Sequence, residues 1–145
     1  MMKYDLSELL QQKLDACKSL REATTSLREL AESDGDEHTF ASLMEERASS
    51  VTTIDDINGR IAEIWRANPS LPSSMTGEER KRARKLAREI DDTVRETAEG
   101  TEELARSLRH RRDAIVGQMT RIGHARHHLS GGPGMPAPRF LNVRL

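Results

Sequence analysis

The chain has 145 residues, of which 32% are charged and only 3% aromatic, with a formal net charge of −1. Charge this evenly balanced excludes long-range attraction to nucleic acid or to an anionic membrane as a driving force, and a lone cysteine, Cys17, excludes an intrachain disulfide. The length suits one domain. No run approaches the ~20 apolar residues that span a bilayer, and the opening MMKYDLSELLQQKLD lacks the apolar core of a secretory signal, so a cytoplasmic protein with no membrane partner is expected.

The first element is expected over about 5–33. Leu6, Leu9, Leu10, Leu14, Cys17, Leu20, Leu27 and Leu30 recur mainly at steps of three and four, which gathers them on one helical face. Asp5 and Glu8 have the spacing of an N-cap and its reciprocal partner. The stretch ESDGDEHT breaks the pattern, and Gly35 is available for the left-handed conformation that ends a helix.

The second helix is expected over about 37–67, where three rows repeat every seven residues. They are Met44, Val51, Asn58 and Trp65; Leu43, Ser50, Ile57 and Ile64; and Phe40, Arg47, Ile54 and Ile61. A sustained seven-residue repeat marks a seam packed nearly parallel or antiparallel to another helix. Asn58-Gly59 is turn-like, but the seam continues in phase past it, so the helix is kept. Pro69 and Pro72 then stop it.

The third helix is expected over about 76–130, opening on the capping-box pair Thr76 and Glu79. Leu86, Ile90, Val94, Thr97, Leu104, Leu108, Ile115, Met119, Ile122 and Leu129 keep the three/four stepping. Large apolar residues lapse between Thr97 and Leu104, which places a bend near Gly100, and Gly117 is a second weak point. A helix of roughly 50 residues, about 75–80 Å long, has too little to bury alone and must lay its seam against others. The expected fold is all-α: an elongated antiparallel bundle of three long helices over residues 1–130, followed by a non-helical Pro/Gly tail over 131–145. Two arrangements satisfy the pattern. Helices one and two lie along the third, or helices two and three form a hairpin that the first completes.

Sites of chemistry are scarce. His124 and His128 have a metal-compatible spacing of four, but no cysteine or carboxylate lies close in sequence to complete a shell, so no metal and no cofactor are expected. The basic run from Arg80 to Arg88 is followed at once by Glu89, Asp91, Asp92, Glu96, Glu99, Glu102 and Glu103, and no aromatic residues interleave with it, so nucleic acid is not the expected partner. No phosphate loop, nucleophile elbow or activated cysteine is present, and an enzyme is not expected. What remains is apolar seam in excess of a slender monomer's needs. Leu104, Leu108, Ile115, Met119 and Ile122 form a face suited to packing within the chain, to a homodimer, or to taking an amphipathic helix from another protein.

FASLMEERASSVTTIDDINGRIAEI, from Phe40 to Ile64, resembles a segment of the small flagellar export chaperones of the FlgN/FliT type. The resemblance runs through Leu43-Met44, Glu46-Arg47 and Ile54-Asp55-Asp56-Ile57-Asn58, then through the long helix that follows, and ends on Gly131-Gly132, Arg139-Phe140 and Arg144. It implies a non-enzymatic role in the cytoplasm: binding the C-terminal helical segment of a hook-associated or filament-cap subunit, keeping it unpolymerised for type III export, with the export ATPase complex as a further partner. A helical-bundle or coiled-coil adaptor of another system, including a homodimer, is the competing reading. For the tail two readings stay open: a disordered terminus, or a short element from Arg139 to Leu145, opening on Arg139, Phe140 and Leu141, whose Phe140, Leu141 and Val143 fold back over the exposed seam until a client displaces them.

Overall fold

The structure is a computed structural model and describes residues 6–33 and 35–129. It is all-α, with α1 (Leu6–Glu32), α2 (Glu37–Ala67), a short α3 (Leu71–Ser74) and α4 (Gly77–Leu129). The three long helices match the expected spans closely. Asp5 of the expected first cap and the whole of the expected tail, 131–145, lie outside the described residues.

Local chemistry explains the boundaries. Asp36 caps α2: its side chain accepts hydrogen bonds from the Thr39 amide at 2.7 Å and the Thr39 hydroxyl at 2.9 Å. Thr76 and Glu79 form the expected capping box, each accepting from the other's backbone amide at 3.1 and 3.2 Å. The prolines that end α2 also begin the unanticipated α3, because Pro72 stands in its first turn, where a missing amide hydrogen costs nothing. Gly35 does not use the left-handed conformation expected of it. Its amide donates to the Leu30 carbonyl at 3.0 Å. The chain passes so close to Leu30 that a β-carbon at position 35 would stand 1.8 Å from Leu30 Cδ1. The requirement for glycine is steric.

α1 is the central element, and α2 and α4 both pack along it. Leu14 and Cys17 meet Leu86 and Ile90, with Leu10 and Ile54 at the edge. At the other end Leu27 and Ala31 meet Phe40 and Leu104, flanked by Leu30, Leu43, Met44 and Leu108. Later residues of α1 therefore meet later residues of α4 and earlier residues of α2. It follows that α1 runs parallel to α4, while α2 runs antiparallel to both. Each fully buried leucine of these clusters contributes on the order of 1.5–3 kcal/mol.

Between the clusters lies a polar layer. Arg47 donates from Nε to Thr24 Oγ1 and from Nη2 to Thr101 Oγ1, both at 3.3 Å. Thr93, Thr97 and Thr101 follow one another at steps of four along α4, each returning its hydroxyl to a carbonyl one turn earlier at 2.7–2.8 Å. That back-bonding lets Thr93 and Thr97 be buried without an unsatisfied hydroxyl. It also explains why Thr93, and not Val94, faces inward; Val94 is 49% exposed. The expected bend at Gly100 does not interrupt α4, which is continuous through both Gly100 and Gly117. Gly100 faces α1, and a β-carbon there would stand 3.4 Å from Thr24 Cγ2, an ordinary van der Waals contact.

On α2 the rows through Phe40 and Leu43 form the packed seam. In the third row only Met44 packs, while Val51 and Trp65 are 39% and 41% exposed. Gly59 faces open space within an uninterrupted helix.

Candidate helix-docking face on α4

The five residues expected on the docking face do not share one environment. Leu104 is fully buried in the core cluster with Leu27, Ala31 and Phe40, and Leu108 packs on the same cluster. Both hold the bundle together. Ile115 and Met119 are half-buried, and Ile122 is 43% exposed, as is Val116 at 46%.

The division follows from where α1 ends. Two ion pairs set the register of α1 on α4: Arg21 Nη1 with Glu96 Oε2 at 3.0 Å, and Arg28 with Glu103. Both are offset by 75 positions, which brings Glu32, the last residue of α1, level with Ser107. Ala31 and Glu32 line one groove with Arg106, Ser107, His110, Arg111 and Ala114. From Ser107 to Leu129, α4 continues for about 33 Å beyond this level at 1.5 Å per residue, the last ~21 Å of it from Ile115 on.

The apolar seam does not stop where α1 stops. Leu86, Ile90, Thr93, Thr97, Leu104 and Leu108 are the positions turned toward the bundle, and Ile115, Met119 and Ile122 follow in the same helical phase. Their spacing of four and three places them on one stripe across two turns. This is the i, i+4, i+7 pattern with which one helix anchors another.

Charge changes along the same helix. From Glu89 to Glu103 there are seven carboxylates against Arg95 alone; from Arg109 to His124 there are Arg109, Arg111, Arg112 and Arg121 against Asp113 alone. Arg112 and Asp113 approach at 3.5 Å on the exposed surface, a pair of little energetic weight.

Cys17 is buried in the core, and burial pushes its thiol pKa up, with Lys13 opposing the shift; it is a packing residue, not an activated nucleophile. Among the described residues no three histidines, cysteines or carboxylates gather as a metal-holding group, and the side chains of His127 and His128 lie outside the described residues. Among those residues, too, no helix is long and apolar enough to cross a membrane. Arg139, Phe140 and Leu141 likewise fall outside the described chain.

The fold and this face define a class: an elongated helical bundle whose longest helix carries its packing seam past the end of its partner. No family model, curated protein or solved structure matches the chain.

Proposed function

We propose that the protein is a non-catalytic helix-binding chaperone that holds an amphipathic segment of a client along the free end of α4. The observation that carries this is the continuation of the α4 seam, in phase, through Ile115, Met119 and Ile122 beyond the end of α1. A client helix laid there would prolong the line of α1 and bury the same kind of stripe that α1 buries. Met119 suits a surface that must adapt to its occupant. The resemblance of Phe40–Ile64 and of the long helix to small flagellar export chaperones supports a specific version of this role. In it, the client is the C-terminal helix of a hook-associated or filament-cap subunit, kept unpolymerised in the cytoplasm for type III export, with the export ATPase complex as a later partner.

The test is titration of the full chain with isolated C-terminal peptides of flagellar hook-associated and filament-cap subunits. One of these peptides is expected to bind with one-to-one stoichiometry. Ile115→Asp/Met119→Asp should weaken it by at least ~tenfold, as expected for charging the centre of an apolar contact, without changing the helical content of the free chain. Binding by none of the peptides would remove the flagellar assignment. Unchanged binding to the double variant would remove the face.

A further inference from the structure

Resting on that helix-docking reading, we propose that the free end of α4 selects a client by charge: its occupant is an acidic amphipathic helix. The bundle supplies an internal precedent for how this seam chooses a neighbour. Glu89, Glu96 and Glu103 form a row at steps of seven on the flank of the α4 seam. Two of them pair with arginines of the helix that occupies it, Glu96 with Arg21 and Glu103 with Arg28. Over its acidic length, then, α4 takes a neighbour bearing arginine at the matching positions.

Beyond the end of α1 the row continues as His110, Gly117 and His124, with no carboxylate. On the same stretch lie Arg109, Arg112 and Arg121, all exposed; Arg112 stands within a turn of Ile115 and Arg109 nearly two turns before it. The complement reverses. A helix carrying arginine or lysine beside its apolar stripe would meet like charge, whereas one carrying glutamate or aspartate would meet cations on the rim of the contact. The helix dipole does not account for these arginines, since its influence is confined to the last turn and Arg109 and Arg112 lie more than four turns before Leu129.

Nucleic acid is the other polyanion to consider. The stripe argues against it, because Ile115, Met119 and Ile122 offer apolar contact where a phosphate backbone offers none, and no aromatic residue occurs from Arg109 to His124 to stack a base. A protein helix satisfies both the stripe and the flanking charge.

The experiment uses three fluorescein-labelled model helices of ~18 residues, long enough to be helical when bound. They share one leucine stripe and differ only in having glutamate, lysine or glutamine on its flanks. Each is titrated with the full chain, followed by anisotropy. The glutamate helix should bind about tenfold more tightly than the lysine helix at low ionic strength, with glutamine between them, and the gap should narrow as salt screens the rim charges. Arg109→Glu/Arg112→Glu, which leaves the core untouched, should abolish or invert the preference while the melting curve is unchanged. Equal affinity for all three helices would overturn the charge selection and leave helix docking intact. Binding by none, or loss of the stripe to a dimer of this chain in sedimentation equilibrium, would overturn both. A duplex oligonucleotide bound in preference to the glutamate helix would overturn the choice of a protein partner.

Discussion

Truncation of Leu104 and of Ile115 should separate the two parts of the α4 seam. Leu104 is completely buried between Leu27, Ala31 and Phe40. Leu104→Ala removes three carbons, worth about 0.8 kcal/mol each in transfer free energy. A residual cavity of ~40 Å³ adds about 1 kcal/mol at ~24 cal/mol per Å³. The expected loss is therefore about 3–4 kcal/mol, a large fraction of the ~5–15 kcal/mol that holds a domain folded. Ile115 stands past the end of α1 and touches neither core cluster, so Ile115→Ala should cost no more than about 0.5 kcal/mol. Urea unfolding followed by circular dichroism measures both, provided the slope with denaturant is unchanged. A loss below about 1 kcal/mol for Leu104→Ala, or above about 2 kcal/mol for Ile115→Ala, would refute the division of the seam.

Three residues, Gly59, Cys17 and Asp36, carry further outcomes. Gly59→Ala should raise stability by about 0.5–1 kcal/mol in the same titration, since the new methyl meets nothing within 4 Å and the helix gains propensity. Cys17, 2% exposed with its thiol pKa raised by burial, should react with a thiol reagent only after unfolding. For the same reason the fold should lose stability as pH rises above the ordinary thiol range, because the unfolded thiol then ionises first. Asp36 is held below the usual carboxylate range by hydrogen bonds from the Thr39 backbone amide and hydroxyl. Its stabilisation is therefore present above the unfolded carboxylate pKa and lost as pH falls through the lowered folded value. Asp36→Ala should melt earlier than the parent at neutral pH, and the two melting temperatures should converge in acid.

Much of the architecture was legible in the residues. The three/four stepping, the Thr76/Glu79 box and the prolines after Ala67 bound the long helices because each acts locally. The seven-residue row through Phe40 and Ile54 also brought Arg47 into the seam, where it bridges Thr24 and Thr101. Tertiary effects were less visible. An apolar stripe has no direction, so it could not disclose that α1 runs parallel to α4. Nor could it disclose the register of α1 on α4, which is why Leu104 and Leu108 read as the same surface as Ile115. Thr93 was passed over for Val94 because hydropathy does not register a hydroxyl already satisfied by the Glu89 carbonyl. Gly100 read as a break because a missing side chain marks a weak helix, whereas packing along α1 keeps α4 continuous there. The change of charge at the end of the seam was present in the sequence all along, but it acquires meaning only beside the Arg21–Glu96 and Arg28–Glu103 pairs.

Amide hydrogen exchange along α4, in the free chain and with the glutamate-flanked helix bound, tests the docking face most directly. In the free chain the amides from Ile115 to His124 should exchange far faster than those from Leu86 to Leu104, because only the latter are covered by α1. Adding the helix should slow the Ile115–His124 amides and leave the Leu86–Leu104 amides unchanged. Equal protection of the two stretches before any helix is added, or no slowing after it, would contradict a free docking face at the end of α4.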